Sequence, residues 1–225
     1  MLDAQTTDFI PQVVRQAILE TDFYWVENIR TARRFISALK TGRKIDDLTF
    51  FVLDKRTSVQ DLKKYIQEIP PNSTIGIMSE AGCPSVADPG SIAVRYAHQN
   101  GWEVVPLAGF SSILAAVMTS GMMGQSFAFQ GYLPIAKNDR KKSLKKFEKQ
   151  AFAQKQMQIF IETPYRNNAL LKDMLTTLNG EMWLSIATEV TSDNRLIRSQ
   201  KIRDWKQAEL PDLHKRPTVF SIFSD

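Results

Sequence analysis

Residues 74–90 constrain the fold more than any other stretch of the chain. An apolar run, Thr74-Ile75-Gly76-Ile77-Met78, stops in a loop of turn residues, Ser79-Glu80-Ala81-Gly82-Cys83-Pro84-Ser85-Val86-Ala87-Asp88-Pro89-Gly90. Gly82 allows positive φ or close approach of a ligand to the backbone. Pro84 and Pro89 fix φ and remove two N–H donors, so the loop is stiff and cannot extend the strand. Ile92, Ala93, Tyr96 and Ala97 then recur at helical spacing. The unit reads strand, loop, helix, and in parallel α/β sheets ligands sit outside the carboxyl ends of strands on such loops. On these residues alone, a tight connection with no ligand is the alternative.

The flanking segments repeat the alternation. Ile10, Val13, Val14, Ala17 and Ile18 make one helical stripe, residues 23–26 are aromatic and β-branched, and Ala32, Phe35, Ile36 and Leu39 share one side of a second helix. Residues 48–53 read as a strand, and Ser58 as the N-cap of a helix bearing Leu62, Tyr65, Ile66 and Ile69. Residues 102–105 are expected to form the next strand, and Ser111-Ser112 to open an apolar helix reaching about Ser120. The order fits parallel βα units. Residues 1–9 are polar and unpatterned, so the chain opens on a helix with no preceding strand; either the sheet has one strand fewer, or Met1 is not the natural start.

A second region follows residues 127–134, where the composition turns basic, and the boundary is expected there, giving α/β domains of 1–133 and 134–225. Lys137, Arg140, Lys141, Lys142, Lys145, Lys146 and Lys149 fall within thirteen residues, with Leu144 and Phe147 as apolar anchors of a helix whose face carries Lys142, Lys145, Lys146 and Lys149. A solvated lysine face is the bland alternative. Residues 157–161 read as a strand, and Leu170, Leu171, Met174, Leu175 and Leu178 as a helix stripe. Residues 182–188, 195–200 and 218–223 are further strands with a short helix at 203–208, suggesting a mixed sheet that ends in hairpin-like pairs.

Several chemistries are excluded. A single cysteine, Cys83, rules out an internal disulfide and a cysteine-rich zinc site, and His98 and His214 lack metal-ligand spacing, so no metal is expected. There is no P-loop, no Gly-x-Gly-x-x-Gly after a strand and no Gly-x-Ser-x-Gly elbow. No apolar run approaches the length of a membrane span and no signal peptide is evident, so a cytoplasmic protein is expected. The net charge of +5 is modest but concentrated in the basic segment.

Four stretches together resemble the tetrapyrrole-methylase superfamily of S-adenosylmethionine-dependent methyltransferases: residues 79–90, Pro106-Leu107-Ala108-Gly109-Phe110-Ser111-Ser112, Phe129-Gln130-Gly131-Tyr132-Leu133-Pro134 and Glu162-Thr163-Pro164-Tyr165-Arg166. They are most similar to the branch that methylates a cytidine 2′-hydroxyl in small-subunit ribosomal RNA. Glu27-Asn28-Ile29-Arg30 is similar to that branch's Glu-Asp-Thr-Arg segment.

The resemblance implies two α/β domains, a parallel first sheet without its first strand, a mixed second sheet, the methyl donor in a cleft between them, and a homodimer. It implies donor contacts from Gly82, Cys83, Val86, Ser111, Ser112, Tyr132, Leu133 and Pro134, with Thr163, Pro164 and Tyr165 closing the pocket. Glu27, Arg30 and Arg166 from the matching stretches, with Lys142, Lys145 and Lys146 of the basic segment, are expected on the RNA side; no catalytic base is assigned. A sulfonium donor carries its own activation, which fits the absence of a nucleophile motif. Two departures stand out: the family's first strand and its glycine-bearing loop are absent, and Asn28 stands where the branch has Asp. Residues 188–192 read Thr-Glu-Val-Thr-Ser in place of the branch's Arg-Glu-Leu-Thr-Lys pattern. A superfamily methyltransferase acting on a small, tetrapyrrole-like molecule and a non-catalytic member binding RNA or a protein remain alternatives.

Overall fold

The computed structural model describes residue 7 and residues 9–107 and 109–225; most of the unpatterned stretch 1–9, and Ala108 of the second motif, lie outside the described residues. The chain divides into two compact units, residues 1–111 and 112–225.

The first unit alternates helices and strands: α1 (Gln12–Glu20), β1 (Phe23–Val26), α2 (Ile29–Ala38), β2 (Thr49–Val52), α3 (Val59–Gln67), β3 (Ile75–Met78) and α4 (Ser91–Gln99). The strands pair only in parallel, in the order β2-β1-β3, with Val26 level with both Val52 and Met78. Strands linked by helices cannot return as hairpins, which is why the alternation in the sequence produces a parallel sheet. One face of the sheet packs Tyr24 and Val26 against Ile18, Phe35, Ile36 and Leu39. The other packs Trp25, Phe51 and Leu53 against Leu62 and Ala93. Helix α3 starts with a complete capping box, Ser58 and Asp61 each bonding the other's backbone N–H.

The strand expected at residues 102–105 is not formed. Gly101 takes φ +68° and donates to the His98 carbonyl, while Trp102 N donates to the Ala97 carbonyl at 2.9 Å, which is the Schellman closure of α4. Trp102 lies edge-on to Tyr96 with ring centroids 5.7 Å apart. A helix-closing hydrogen bond and a ring contact therefore fix the residue that β-propensity assigned to a strand start, and residues 102–107 stay exposed without strand pairing.

The second unit contains α5 (Ser112–Thr119), β4 (Phe127–Tyr132), α6 (Lys137–Gln154), β5 (Met157–Ile161), α7 (Asn167–Thr177), β6 (Trp183–Thr188), β7 (Leu196–Lys201), α8 (Ile202–Gln207) and β8 (Thr218–Phe223). Its sheet runs β4-β5-β8-β6-β7, with β4 and β5 parallel and the other pairs antiparallel, the mixed sheet expected from the spacing of its strands. One face carries Phe160, Leu184, Ile186, Phe220 and Ile222 under α6, α7 and α8; the other carries Met157, Ile159, Ala187 and Val219 under α5. Residues 112–133 thus belong by packing to this sheet, although the composition changes only after them.

Gly76 is the one strand glycine whose reason is steric. It faces Tyr24 across the β1–β3 ladder, and a Cβ at Gly76 would stand 2.7 Å from Tyr24 Cδ1 and Cε1. The Tyr24 ring is buried, with its hydroxyl donating to the Ile18 carbonyl at 3.2 Å and its pKa pushed up to about 12 by that burial. The ring has no room to yield. Gly76→Ala is expected to lower stability by roughly 1–3 kcal/mol, as overpacking does, measured as a shift of the urea midpoint at unchanged slope.

Candidate functional site

Because β1, β2 and β3 run the same way, the loops after Val26, Val52 and Met78 leave the first sheet at one edge. The loop after β3 is tied to the loop after β1 there. Glu27 N donates to the Met78 carbonyl at 3.1 Å, Glu80 N donates to the Glu27 carboxylate at 3.0 Å, and Thr31 Oγ1 donates to Glu80 Oε1 at 2.9 Å. Asn28 caps α2, its Oδ1 accepting from Thr31 N at 3.1 Å. Asn and Asp cap helices equally well, so the departure at Asn28 preserves this local role. Arg30 is exposed in the first turn of α2.

The loop itself is held in an uncommon conformation. Gly82, Ser85, Ala87 and Gly90 have φ of +71°, +70°, +66° and +144°. Ser85 N donates to the Pro89 carbonyl and Val86 N to the Cys83 carbonyl. A Cβ on Gly90 would meet Ser85 Oγ at 2.7 Å and Ser85 N at 3.0 Å, so Gly90 closes the loop on itself. Gly82 differs: nothing lies within 4 Å of where its Cβ would stand, so its backbone is open to a ligand. Val86 is exposed and Cys83 half-buried. Partial burial raises the pKa of Asp88 above the usual carboxylate value; the nearby Glu27 and Glu80 charges push the same way, while a Ser79 hydrogen bond and Lys55 oppose them.

In the second unit, the ends of β4, β5 and β6 and the start of β8 share one sheet edge, since Tyr132 is level with Ile161, Ile161 with Val219, and Thr188 with Thr218. This edge assembles Tyr132, Leu133 and Pro134 with Thr163, Pro164, Tyr165 and Arg166. Gly131, at φ +67° with open space around its Cβ position, breaks the β4–β5 register and turns the strand end. Tyr132 and Pro134 are exposed, but the Leu133 side chain is in the core, leaving only its backbone for a ligand. Arg166 is engaged by the buried Glu162, its Nε 2.7 Å from Oε1 and its Nη2 2.8 Å from Oε2. Ser111 ends the first unit, and Ser112 begins α5 in the second.

The basic segment is α6, and its face is less uniform than its composition. Lys142, Lys145, Lys146 and Lys149 are exposed, with Lys142 3.6 Å from Asp139 and Lys145 2.7 Å from Glu148. Arg140, counted among the segment's cations, is only 8% exposed. Its Nε and Nη2 donate to Asp173 Oδ2 of α7 at 2.8 and 2.5 Å, and its Nη1 donates to the carbonyls of Ile135 at 2.7 Å and Pro134 at 3.3 Å. This cation is structural. Its partner lies 33 residues away, and nothing local in the sequence marks the pair. The polar residues that shape the β5–α7 and β8 loops, Asn167, Asn168, Glu189 and Arg216, were likewise missed, because each acts through a partner at least 27 positions distant.

Arg140→Ala should destabilise the protein by about 3–5 kcal/mol by leaving the Asp173 charge buried and unpaired, whereas Lys146→Ala should stay within about 0.5 kcal/mol; denaturant titration separates them. For Asp88, a folded-state pKa raised above its unfolded value means that its favourable contribution is complete below the unfolded pKa and is lost as pH rises through the folded pKa. Asp88→Asn is therefore expected to raise the melting temperature relative to the parent protein at pH 7 and to lose that advantage near pH 4, as thermal scans at the two pH values would show.

No family model matches the chain. Comparison with individual proteins does find relatives. The chain is 28% identical over 195 residues to the ribosomal RNA small subunit methyltransferase I of Vibrio cholerae, a match covering 87% of this chain and 65% of that protein. The chain therefore spans less than two thirds of that relative's length. It is 34% identical over 177 residues to the protein of the same description from Thermotoga maritima, covering 69% of this chain and 76% of the relative. Among solved structures, the methyltransferase CobJ superposes with a TM-score of 0.63 at 17% identity, covering 96% of this chain and 89% of that one, and so shares its fold. Identity of this extent over three quarters of the Thermotoga protein means that the chain belongs to the ribosomal RNA small subunit methyltransferase I family, with the tetrapyrrole-methylase fold.

Proposed function

We propose that the protein is an S-adenosylmethionine-dependent methyltransferase that methylates a ribose 2′-hydroxyl of small-subunit ribosomal RNA. The observation that carries this reading is the family membership, and three of the four matching stretches, residues 79–90, 129–134 and 162–166, sit at the ends of β3, β4 and β5 and the adjoining loops, where parallel sheets bind ligands. The open backbone at Gly82 and at Gly131 fits a donor that must come close to main-chain N–H and C=O groups.

Bound there, the donor supplies an activated methyl group, so the protein needs no nucleophile of its own. In this reading Gly82, Cys83, Val86 and Ser111 are the donor contacts of the first unit, and Ser112, Tyr132, the backbone of Leu133, Pro134, Thr163 and Pro164 those of the second. The hydrogen bonds from Thr31 Oγ1 to Glu80 and from Glu80 N to Glu27 tie the β3 loop to the loop after β1 and to α2. That rigidity is the protein's contribution to alignment, since a misplaced acceptor loses most of the benefit of proximity. Glu27 and Arg30 face the substrate from the first unit. Lys142, Lys145 and Lys146 contact RNA phosphates, an attraction that depends on salt through counterion release. The protein acts in the cytoplasm as a homodimer; among the described residues no helix is long and apolar enough to cross a membrane.

Labelled adenosylmethionine offered with small ribosomal subunits, naked ribosomal RNA and a tetrapyrrole panel tests the reading. Label is expected in the ribosomal RNA, at an alkali-resistant 2′-O-methyl position. Changing Lys142, Lys145 and Lys146 together to Ala should flatten the log–log salt dependence of RNA binding by about two units and leave donor affinity unaltered. Label in the tetrapyrroles alone would instead favour a small-molecule methyltransferase, and an unchanged slope would return the lysines to a solvated face.

A further inference from the structure

Tyr165 is 69% exposed in the loop after β5, an unusual position for an aromatic side chain fixed in a folded loop. Its ring meets His214 edge to face, with centroids 5.7 Å apart and planes at 73°. The exposure leaves a ring face open. His214 and Lys215 are exposed beside it, in the segment that enters β8.

This pair is held by a set of hydrogen bonds independent of the rings. Lys215 N donates to the Pro164 carbonyl at 3.0 Å, joining the two loops at their tips. Asn168 donates through Nδ2 to Asp212 at 2.6 Å and accepts from Leu213 N at 2.8 Å, and Asp212 accepts in turn from His214 N at 3.0 Å. The buried Asn167 donates to the Arg216 carbonyl at 2.6 Å. Leu213 is anchored in the core. Both loops are therefore locked to the start of α7, so the backbone carrying the two exposed rings has little freedom left to lose on binding.

We propose that Tyr165, buttressed by its edge-to-face contact with His214, is a stacking platform for one unpaired nucleobase of the RNA substrate, with Lys215 on the adjacent phosphate. This rests on the RNA-methyltransferase reading and places the Tyr165 side chain on the substrate, not in the donor pocket. Single-stranded RNA is recognised by stacking of splayed bases on aromatic side chains, which accept any base because each offers a π face. A cation beside the ring then binds the phosphate that follows.

The test uses a short single-stranded RNA carrying 2-aminopurine, with the full chain and its Tyr165→Ala, Tyr165→Phe and His214→Ala variants. The fluorescence of 2-aminopurine should fall when the RNA binds the parent protein or Tyr165→Phe, which keeps the ring. Tyr165→Ala should abolish that quenching and weaken RNA binding by roughly tenfold or more, with His214→Ala intermediate. The salt slope should not change, since stacking releases no counterions, and adenosylhomocysteine binding by calorimetry should stay as in the parent. If Tyr165→Ala binds and quenches like the parent while the triple lysine variant loses affinity, the platform is wrong and the RNA reading stands. Loss of adenosylhomocysteine binding in Tyr165→Ala would move the residue into the donor pocket and overturn the proposal. If the parent itself binds no RNA, the RNA reading fails and the platform with it.

Discussion

The buried ion pair between Arg140 and Asp173 organises the second unit. An arginine that donates two hydrogen bonds to one carboxylate and two more, from Nη1, to carbonyls fixes three things together: the approach of α6 to α7, the path of the chain leaving β4, and the position of residues 134–135. Such a pair contributes little net stability, because desolvating both charges offsets most of their attraction. What it supplies here is geometry. The exit from β4 is irregular, with Gly131 in the left-handed region and the register to β5 broken, so its own ladder cannot hold it. The guanidinium holds the chain just beyond that break, next to the residues that resemble a donor-binding motif.

The first unit solves a similar problem with carboxylates and backbone strain. Four residues of the β3 loop lie in left-handed conformations, two of them, Ser85 and Ala87, with side chains that disfavour it. Strain of this kind persists only where neighbours over-determine the loop, and Glu27, Glu80, Thr31 and the contact of Gly90 with Ser85 do so. The cost includes placing Asp88 within the field of Glu27 and Glu80. A connection whose only task was to join a strand to a helix would gain nothing from either feature.

Much of the candidate site was legible because its signals are local. Gly82, Pro84 and Pro89 announce a stiff loop, and the capping role of Ser58 follows from its place before a helical stripe. The resemblance did not distinguish side chain from backbone: Leu133 falls within the motif but its side chain is in the core, and Arg166 is held by Glu162. The lysine run read as a single face, yet Arg140 within it faces inward, since helical spacing assigns a face without revealing an acidic partner on another helix. At Trp102, strand propensity was overridden by the Schellman closure of α4, which depends on Gly101 and on a ring contact with Tyr96.

By itself the sequence determined the alternation of strands and helices, the parallel first sheet, the mixed second sheet and the family. These follow from periodicity, turn chemistry and short motifs, all of which act over a few residues. Tertiary structure alone decided which charges are structural and which are exposed, where residues 112–133 pack, and that loops 163–166 and 212–216 meet at one sheet edge. Those outcomes depend on the antiparallel pairing of β5 with β8 and on hydrogen bonds such as Asn167 to Arg216, which join residues almost fifty positions apart. Contacts at that separation arise from the closing of a whole sheet, so no stretch of the sequence contains them.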